Sequence, residues 1–229
     1  MLKMSFEKKY FTRRKYLSKE SQIRRFILEL LKWSSKVNNS NLLDGREKIA
    51  LVVGCGCGFE TDILNELGYE VYGLDISKFA VKYAKNTCNS GEFILCDLQT
   101  GVPFQTDVFD IVTCIDVLEH LTHPLKALVE IFRASNGAVV CTSPNRNVEQ
   151  VIKTIFRDID ETHINSKSKK EWEILIKENF KPHFLKIEAF MDMCPRIRDK
   201  LLFCKYFRLP YFGLSLRMFI RQKKEKRKI

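Results

Sequence analysis

The chain has no run of about eighteen apolar residues, the length a helix needs to cross a bilayer. Its amino terminus also lacks the short apolar core of an export signal. Both absences give the expectation of a cytoplasmic chain. Eight cysteines are present, but no two are spaced Cys-x-x-Cys, which argues against a zinc site of standard spacing. Cys96, Cys114 and Cys141 fall in apolar runs that read as buried strands, and Cys55 and Cys57 sit inside a glycine turn. They read as small reduced apolar residues rather than disulfide partners.

A glycine at position 59 is also missing. Residues 50–60 read Ala-Leu-Val-Val-Gly-Cys-Gly-Cys-Gly-Phe-Glu, an apolar run climbing into alternating glycines and then a helix-compatible segment. Asp75 follows Gly54 by twenty-one residues and ends a second apolar run, Val71-Tyr72-Gly73-Leu74. Strand, glycine turn, helix, strand and terminal acid form the nucleoside-binding half of a doubly wound α/β domain, with the acid placed for a ribose diol. A dinucleotide fingerprint needs Gly-x-Gly-x-x-Gly. Here position 59 is Phe59 and the third glycine is Gly58, so that version fails by one residue.

The spacing Gly54-x-Gly56-x-Gly58 resembles the first motif of the class I S-adenosylmethionine-dependent methyltransferases. Three further stretches extend the resemblance. Glu92 to Leu98 reads as a third strand ending in Asp97. Val102-Pro103-Phe104 leads to Phe109-Asp110-Ile111-Val112, and then comes Asp116-Val117-Leu118-Glu119-His120-Leu121. This order is similar to the branch that includes ubiquinone and menaquinone biosynthesis methylases. Ser143-Pro144-Asn145 and Thr162-His163-Ile164 stand where that branch often has similar residues, and the likeness covers about residues 45 to 190.

The resemblance implies a Rossmann-like, doubly wound seven-stranded sheet with an antiparallel last strand and helices on both faces. It also implies S-adenosylmethionine as cofactor. Gly54, Cys55, Gly56 and Gly58 would pack on its methionine part, Asp75 and Ile76 would lie at the ribose, and Asp97 and Leu98 would flank the adenine. Ile115 and Asp116 would end beside the methyl group. Cys57 stands where a threonine or serine hydroxyl is frequent, and the weaker thiol predicts reduced cofactor affinity.

Methyl transfer asks the protein mainly to position the acceptor and, for an oxygen nucleophile, to remove a proton. Asp116, Glu119 and His120 stand at i, i+3 and i+4 and would share one face if this stretch is helical. They could supply a general base. They could also hold a divalent metal, as the resemblance to quinol O-methylating enzymes suggests, although no metal site is assigned from the sequence. In the structural alternative, Glu119 caps the turn and His120 bonds a backbone carbonyl. His163, before a helix over 168–179, is a second base candidate.

Motifs for two nucleobase reactions are absent. Strand four ends in Ile115-Asp116-Val117-Leu118 rather than an Asn/Asp/Ser-Pro-Pro-aromatic grip on an exocyclic amine. Cys194-Pro195 reverses the Pro-Cys of cytosine C5 methylation. Methylation elsewhere on RNA stays open.

The net charge of +11 is unevenly placed. Residues 1–40 and 196–229 are both strongly basic and rich in aromatics, while 41–195 is net acidic. Three parts follow. Residues 1–44 form a basic segment with an amphipathic helix from Ile23 to Val37, capping the sheet edge or the cofactor cleft, or lying on a membrane surface. Residues 45–191 form the cofactor-binding core. Residues 192–229 hold a basic insertion or partly helical cap, the last strand over 214–220 and the tail, completing the same domain.

The leading expectation is a methyltransferase acting on a small-molecule or lipid-linked acceptor by O- or C-methylation, with peripheral contact to anionic membrane. The alternatives are an RNA-associated methyltransferase whose basic ends track phosphates, and a catalytically silent binding module.

Overall fold

Ile49–Val53, strand β1, shows why the sheet is buried on both sides. Ala50 and Val52 pack into one helical layer, and Leu51 and Val53 into the other, as the two-residue period of a strand requires. A continuous apolar run of this kind suits a central parallel strand covered on both faces.

The computed structural model describes residues 6–156, 160–193, 196–197, 200–201, 205–209 and 212–222. Ahead of β1 lie α1 (Lys8–Arg13), a 3₁₀ turn (Tyr16–Lys19) and α2 (Glu20–Val37). After it come α3 (Phe59–Glu66), β2 (Glu70–Asp75), α4 (Lys78–Thr87), β3 (Glu92–Leu95) and β4 (Phe109–Ile115). Next are α5 (Pro124–Ala134), β5 (Ser135–Pro144), α6 (Arg146–Phe156), α7 (Lys169–Phe180) and β6 (Phe184–Met193). The two-residue strands β7 (Arg196–Ile197) and β8 (Lys200–Leu201) pair with each other, and β9 (Lys205–Arg208) and β10 (Ser215–Arg221) follow.

The main sheet has eight strands in the order β3-β2-β1-β4-β5-β10-β6-β9. The first five are parallel, and β10 runs antiparallel between β5 and β6. The strand order reverses between β1 and β4, the switch point beside which α/β sheets bind their ligands. Ile27, Leu30 and Leu31 of α2, Ile63 and Leu64 of α3 and Val81 of α4 cover one face. Leu128 and Ile131 of α5 and Trp172 and Ile176 of α7 cover the other.

Two expectations change. The stretch between Asp192 and Leu209 contains no helix among the described residues. β9 instead pairs with β6 as an eighth, edge strand. Its Tyr206 ring packs against Phe26 of α2 and the guanidinium of Arg217. Arg217 is fully buried, lies 4.0 Å over the Phe190 ring and pairs with Asp192 at 2.9 Å. An aromatic wall around one neutralised cation gives the extra strand something to close on. The second change is α6, which adds to the expected elements. The amides of Val148 and Glu149 both donate to the Asn145 carbonyl as it begins. The basic tail over 223–229, Phe203, Tyr211 and Cys194-Pro195 lie outside the described residues.

Helix α7 has a complete capping box. The Ser168 hydroxyl accepts from the Glu171 amide, and the Glu171 carboxylate accepts from the Ser168 amide at 2.8 Å. That box orients Trp172 into the core, so Ser168→Ala is expected to lower the stability to urea unfolding by about 1 kcal/mol without changing the fold.

Candidate active site

The glycine loop is tied to the end of β2. The amides of Gly54 and Cys55 both donate to the Leu74 carbonyl, at 2.7 and 2.9 Å. The Gly56 amide donates to Asp75 Oδ2 at 2.8 Å, and the other carboxylate oxygen, Oδ1, accepts from the Ser77 amide at 2.8 Å. All three glycines hold positive φ, 72°, 53° and 92° at Gly54, Gly56 and Gly58. A side chain there would be strained, and at Gly54 a Cβ would stand 2.2 Å from a Val117 methyl. Desolvation raises the pKa of Asp75 while its backbone bonds oppose the rise.

Cys55 is buried with its thiol turned to the neighbouring carbonyl, and Cys57 is buried against Phe11 and Ala80. The Cys57 thiol thus serves packing, and burial pushes it up to about 12. Ile76, just past β2, is 49 % exposed. After β3, Asp97 Oδ1 accepts from the Gln99 amide in a tight turn, and Leu98 is buried beneath it.

The amino-terminal segment covers this loop. Helix α2 packs on the sheet face, whereas α1 and the 3₁₀ turn lie over the glycines. The Tyr16 hydroxyl stands 2.9 Å from the place a Gly56 Cβ would take, and its ring stacks on Phe59. Desolvation, followed by the nearby Cys57, Glu60 and Asp75, drives the Tyr16 pKa upward.

At the end of β4 the expected helical face is absent. Asp116 adopts a left-handed conformation, φ 51°, and only a short 3₁₀ turn follows, Leu118–His120. Asp116 turns to β5, where the Thr142 hydroxyl donates to its Oδ1 at 2.7 Å and accepts from its amide. The group that converges is Glu119, His120 and His163, with one ligand-type atom of each within 4.8 Å of the others. A left-handed residue at 116 breaks the i, i+3, i+4 register, and the loop before α7 supplies the third member instead. Ile115, half-buried, ends β4 beside this group.

Glu119 is completely buried, and among the described residues neither of its carboxylate oxygens has a hydrogen-bond partner. An unpaired buried carboxylate costs several kcal/mol. Desolvation, then Asp116, holds its pKa well above the usual carboxylate range. His120 Nδ1 faces the Thr162 carbonyl at 3.1 Å, and burial lowers its pKa. His120 is therefore neutral at pH 7, with Nδ1 the protonated nitrogen and Nε2 bearing the lone pair. His163 Nδ1 meets Glu149 Oε1 at 2.6 Å. An orphaned carboxyl beside two imidazoles could hold a divalent cation.

Glu60, Tyr16, Thr142 and Glu149 take part without having been singled out from the sequence. Glu60 opens α3 directly below the glycine loop. It is buried with one oxygen unpartnered among the described residues, and desolvation pushes it up to about 7. Its place right after Gly58-Phe59 is the available signal.

A raised carboxyl pKa sets the sign of a pH effect. Between the ordinary glutamate value and about 7, folded Glu60 binds a proton that the unfolded chain releases. Its contribution to stability therefore falls as pH rises through that window, by about 3 kcal/mol at most. Glu60→Gln is expected to remove this part of the slope, gaining stability over the parent at pH 8 more than at pH 5 in denaturant titrations.

Comparison with known proteins fits this geometry. Residues 51–141 match the family described as methyltransferase domain. The 18S rRNA (guanine-N(7))-methyltransferase bud23 of Schizosaccharomyces pombe is 29 % identical over 149 residues, covering 65 % of this chain and 47 % of that protein. A ubiquinone biosynthesis O-methyltransferase of Idiomarina loihiensis is 31 % identical over 119 residues, 49 % of this chain and 48 % of that one. The chain thus spans about half the length of the curated relatives it matches. Magnesium protoporphyrin IX methyltransferase from Synechocystis PCC 6803, solved with bound SAH, shares the fold at a TM-score of 0.59 and 18 % identity, over 87 % of this chain and 83 % of that one. Residues 51–141, with their glycine loop, acid-ended second strand and sheet order, thus match the methyltransferase-domain family model, and the fold is the Rossmann-like one of the compared methyltransferase structure.

Proposed function

We propose that this chain is an S-adenosylmethionine-dependent methyltransferase acting on oxygen of a small or lipid-linked acceptor such as a quinol or phenol. The carrying observation is the placement of an oriented His120 and a buried, unpartnered Glu119 just after β4, the strand next to β1 and its Gly54–Gly58 loop.

The residues present suit the cofactor. The Asp75 carboxylate, pinned by two amides, has further lone pairs for a ribose diol, and the positive-φ glycines hold the loop backbone beside it. Ile76 would lie at the ribose, and Asp97 and Leu98 would border the adenine. When bound, S-adenosylmethionine supplies a methyl group on a sulfonium whose departing group is neutral. His120 Nε2 would accept the acceptor's hydroxyl proton, and the Glu119 carboxyl would donate a hydrogen bond to a neighbouring oxygen. Were a divalent cation part of the reaction, Glu119, His120 and His163 would hold it and it would polarise the acceptor oxygen.

A second reading has its own support. The match to an rRNA methyltransferase and the exposed Lys8, Lys9 and Arg13 of α1 favour an RNA acceptor. Among the described residues no helix is long and apolar enough to cross a membrane, so any lipid contact would be peripheral.

Calorimetric titration with S-adenosylmethionine and S-adenosylhomocysteine is expected to give saturable binding that Asp75→Ala weakens by about tenfold or more, the loss of a charged hydrogen bond. Absence of heat from both ligands would leave only a silent scaffold. With catechol as probe acceptor, His120→Ala is expected to lower kcat by about 10²-fold while binding of S-adenosylhomocysteine stays unchanged. RNA affinity that falls steeply with salt would favour the second reading. Selective binding to phosphatidylglycerol vesicles would favour the lipid-linked acceptor.

A further inference from the structure

We propose that Glu149 is a positioning residue for His120, acting through His163 and the loop over 160–165. The inference deepens the proposed function, since it concerns how the acceptor-side base is aimed.

A carbonyl can only accept, so the contact of His120 Nδ1 with the Thr162 carbonyl selects one tautomer and one ring orientation. That selection lasts only while the Thr162 carbonyl stays in place. Three attachments hold its loop. Asp160 closes a turn by accepting from the Thr162 amide at 3.0 Å and from the Thr162 hydroxyl, and it also pairs with Arg14 from the amino-terminal segment. The Asn165 amide donates to the Glu119 carbonyl at 2.9 Å, and its side chain donates to the Leu121 carbonyl at 3.1 Å. Glu149, in the first turn of α6, takes His163 Nδ1–H at 2.6 Å.

The third attachment reaches His120 most directly. The His163 ring lies edge-on to His120, with centroids 4.9 Å apart, and Phe6 closes on His120 from 5.3 Å. His163 Nε2 faces Asp160 at 3.6 Å, so the ring spans two carboxylates. Both side chains of the Glu149–His163 pair are largely shielded, 15 % and 16 % exposed, which strengthens a charge-assisted bond. The first turn of a helix also favours a carboxylate there. Glu149 thus fixes His163, His163 packs the flank of His120, and the Thr162 carbonyl between them keeps its reach. His163 in this arrangement is a support rather than a second base. The same bonds leave the second nitrogen of His120 with its lone pair, whichever use the site makes of it.

Long-range ¹H–¹⁵N correlation spectra of the uniformly ¹⁵N-labelled protein read histidine tautomers directly. The parent is expected to show His120 as a single Nδ1–H tautomer. In Glu149→Ala that signature gives way to a tautomer mixture, and in Glu149→Gln, whose amide oxygen can still accept, it is retained. His163→Phe, which keeps the ring and removes the bond, is expected to give the mixture as well and provides the test if Glu149→Ala fails to fold. A His120 signature unmoved in Glu149→Ala or in His163→Phe, or lost equally in Glu149→Gln, overturns the proposal. Calorimetry with S-adenosylhomocysteine on the parent separates the two ideas: no binding strikes the methyltransferase reading, whereas the tautomer result stands or falls on the spectra.

Discussion

Two turns of the chain meet on one carboxylate, and the site's order depends on it. Asp75 accepts the Gly56 amide with one oxygen and the Ser77 amide with the other, joining the loop after β1 to the start of α4. Both amides sit at the carboxyl edge of a parallel sheet, where the strands end and backbone donors need partners. A side chain that fills this need is fixed before any ligand arrives. The same geometry compels positive φ at Gly54, Gly56 and Gly58, lets Val117 close on Gly54 and brings Tyr16 down onto Gly56. Parallel pairing of β1 with β2, Ile49 against Glu70 through Val53 against Leu74, sets the register that makes the meeting possible.

The group around Glu119, His120 and His163 is organised differently. It has no single anchor but a convergence of four stretches far apart in sequence: the amino-terminal segment, the turn over 118–121, the start of α6 and the loop over 160–165. Arg14 with Asp160, Phe6 with His120, Asn165 with the Glu119 and Leu121 carbonyls and Glu149 with His163 bind them together. One segment, residues 6–19, touches both halves, with Tyr16 on the glycine loop and Arg14 on the loop over 160–165. The glycine loop and the group around His120 therefore share a cover.

This division matches the pattern of likeness to other proteins. The matched segment, 51–141, contains the glycine loop, the three acid-bearing strand ends at Asp75, Asp97 and Asp116, and the turn with Glu119 and His120. The amino-terminal segment, α6, the loop with His163 and the edge strand β9 all lie outside it. The relatives it matches include both an rRNA (guanine-N(7))-methyltransferase and a ubiquinone biosynthesis O-methyltransferase.

The sequence by itself determined the core. Apolar runs ending in glycine or acid, the Gly54-x-Gly56-x-Gly58 spacing, Ser77 before α4 and Pro124 at the start of α5 are local signals, and each acts within a few residues of itself. They determined β1 through β6, β10, the placement of Asp75 and Asp97 and the class of fold. Tertiary structure alone decided the rest. The left-handed turn at Asp116 broke the expected helical face, because Thr142 on the neighbouring strand offered its hydroxyl to both the amide and the carboxylate. The basic stretch after β6 became an edge strand instead of a cap, because Phe26, Phe190 and a buried Arg217 gave Tyr206 a surface to close on. Glu119 lost its partners, and Glu149 found His163, through contacts spanning many residues of chain. Periodicity and spacing report what a residue does to its own neighbourhood. Burial, orphaned carboxylates and histidine tautomers depend on which distant segment arrives, and only the folded chain brings it.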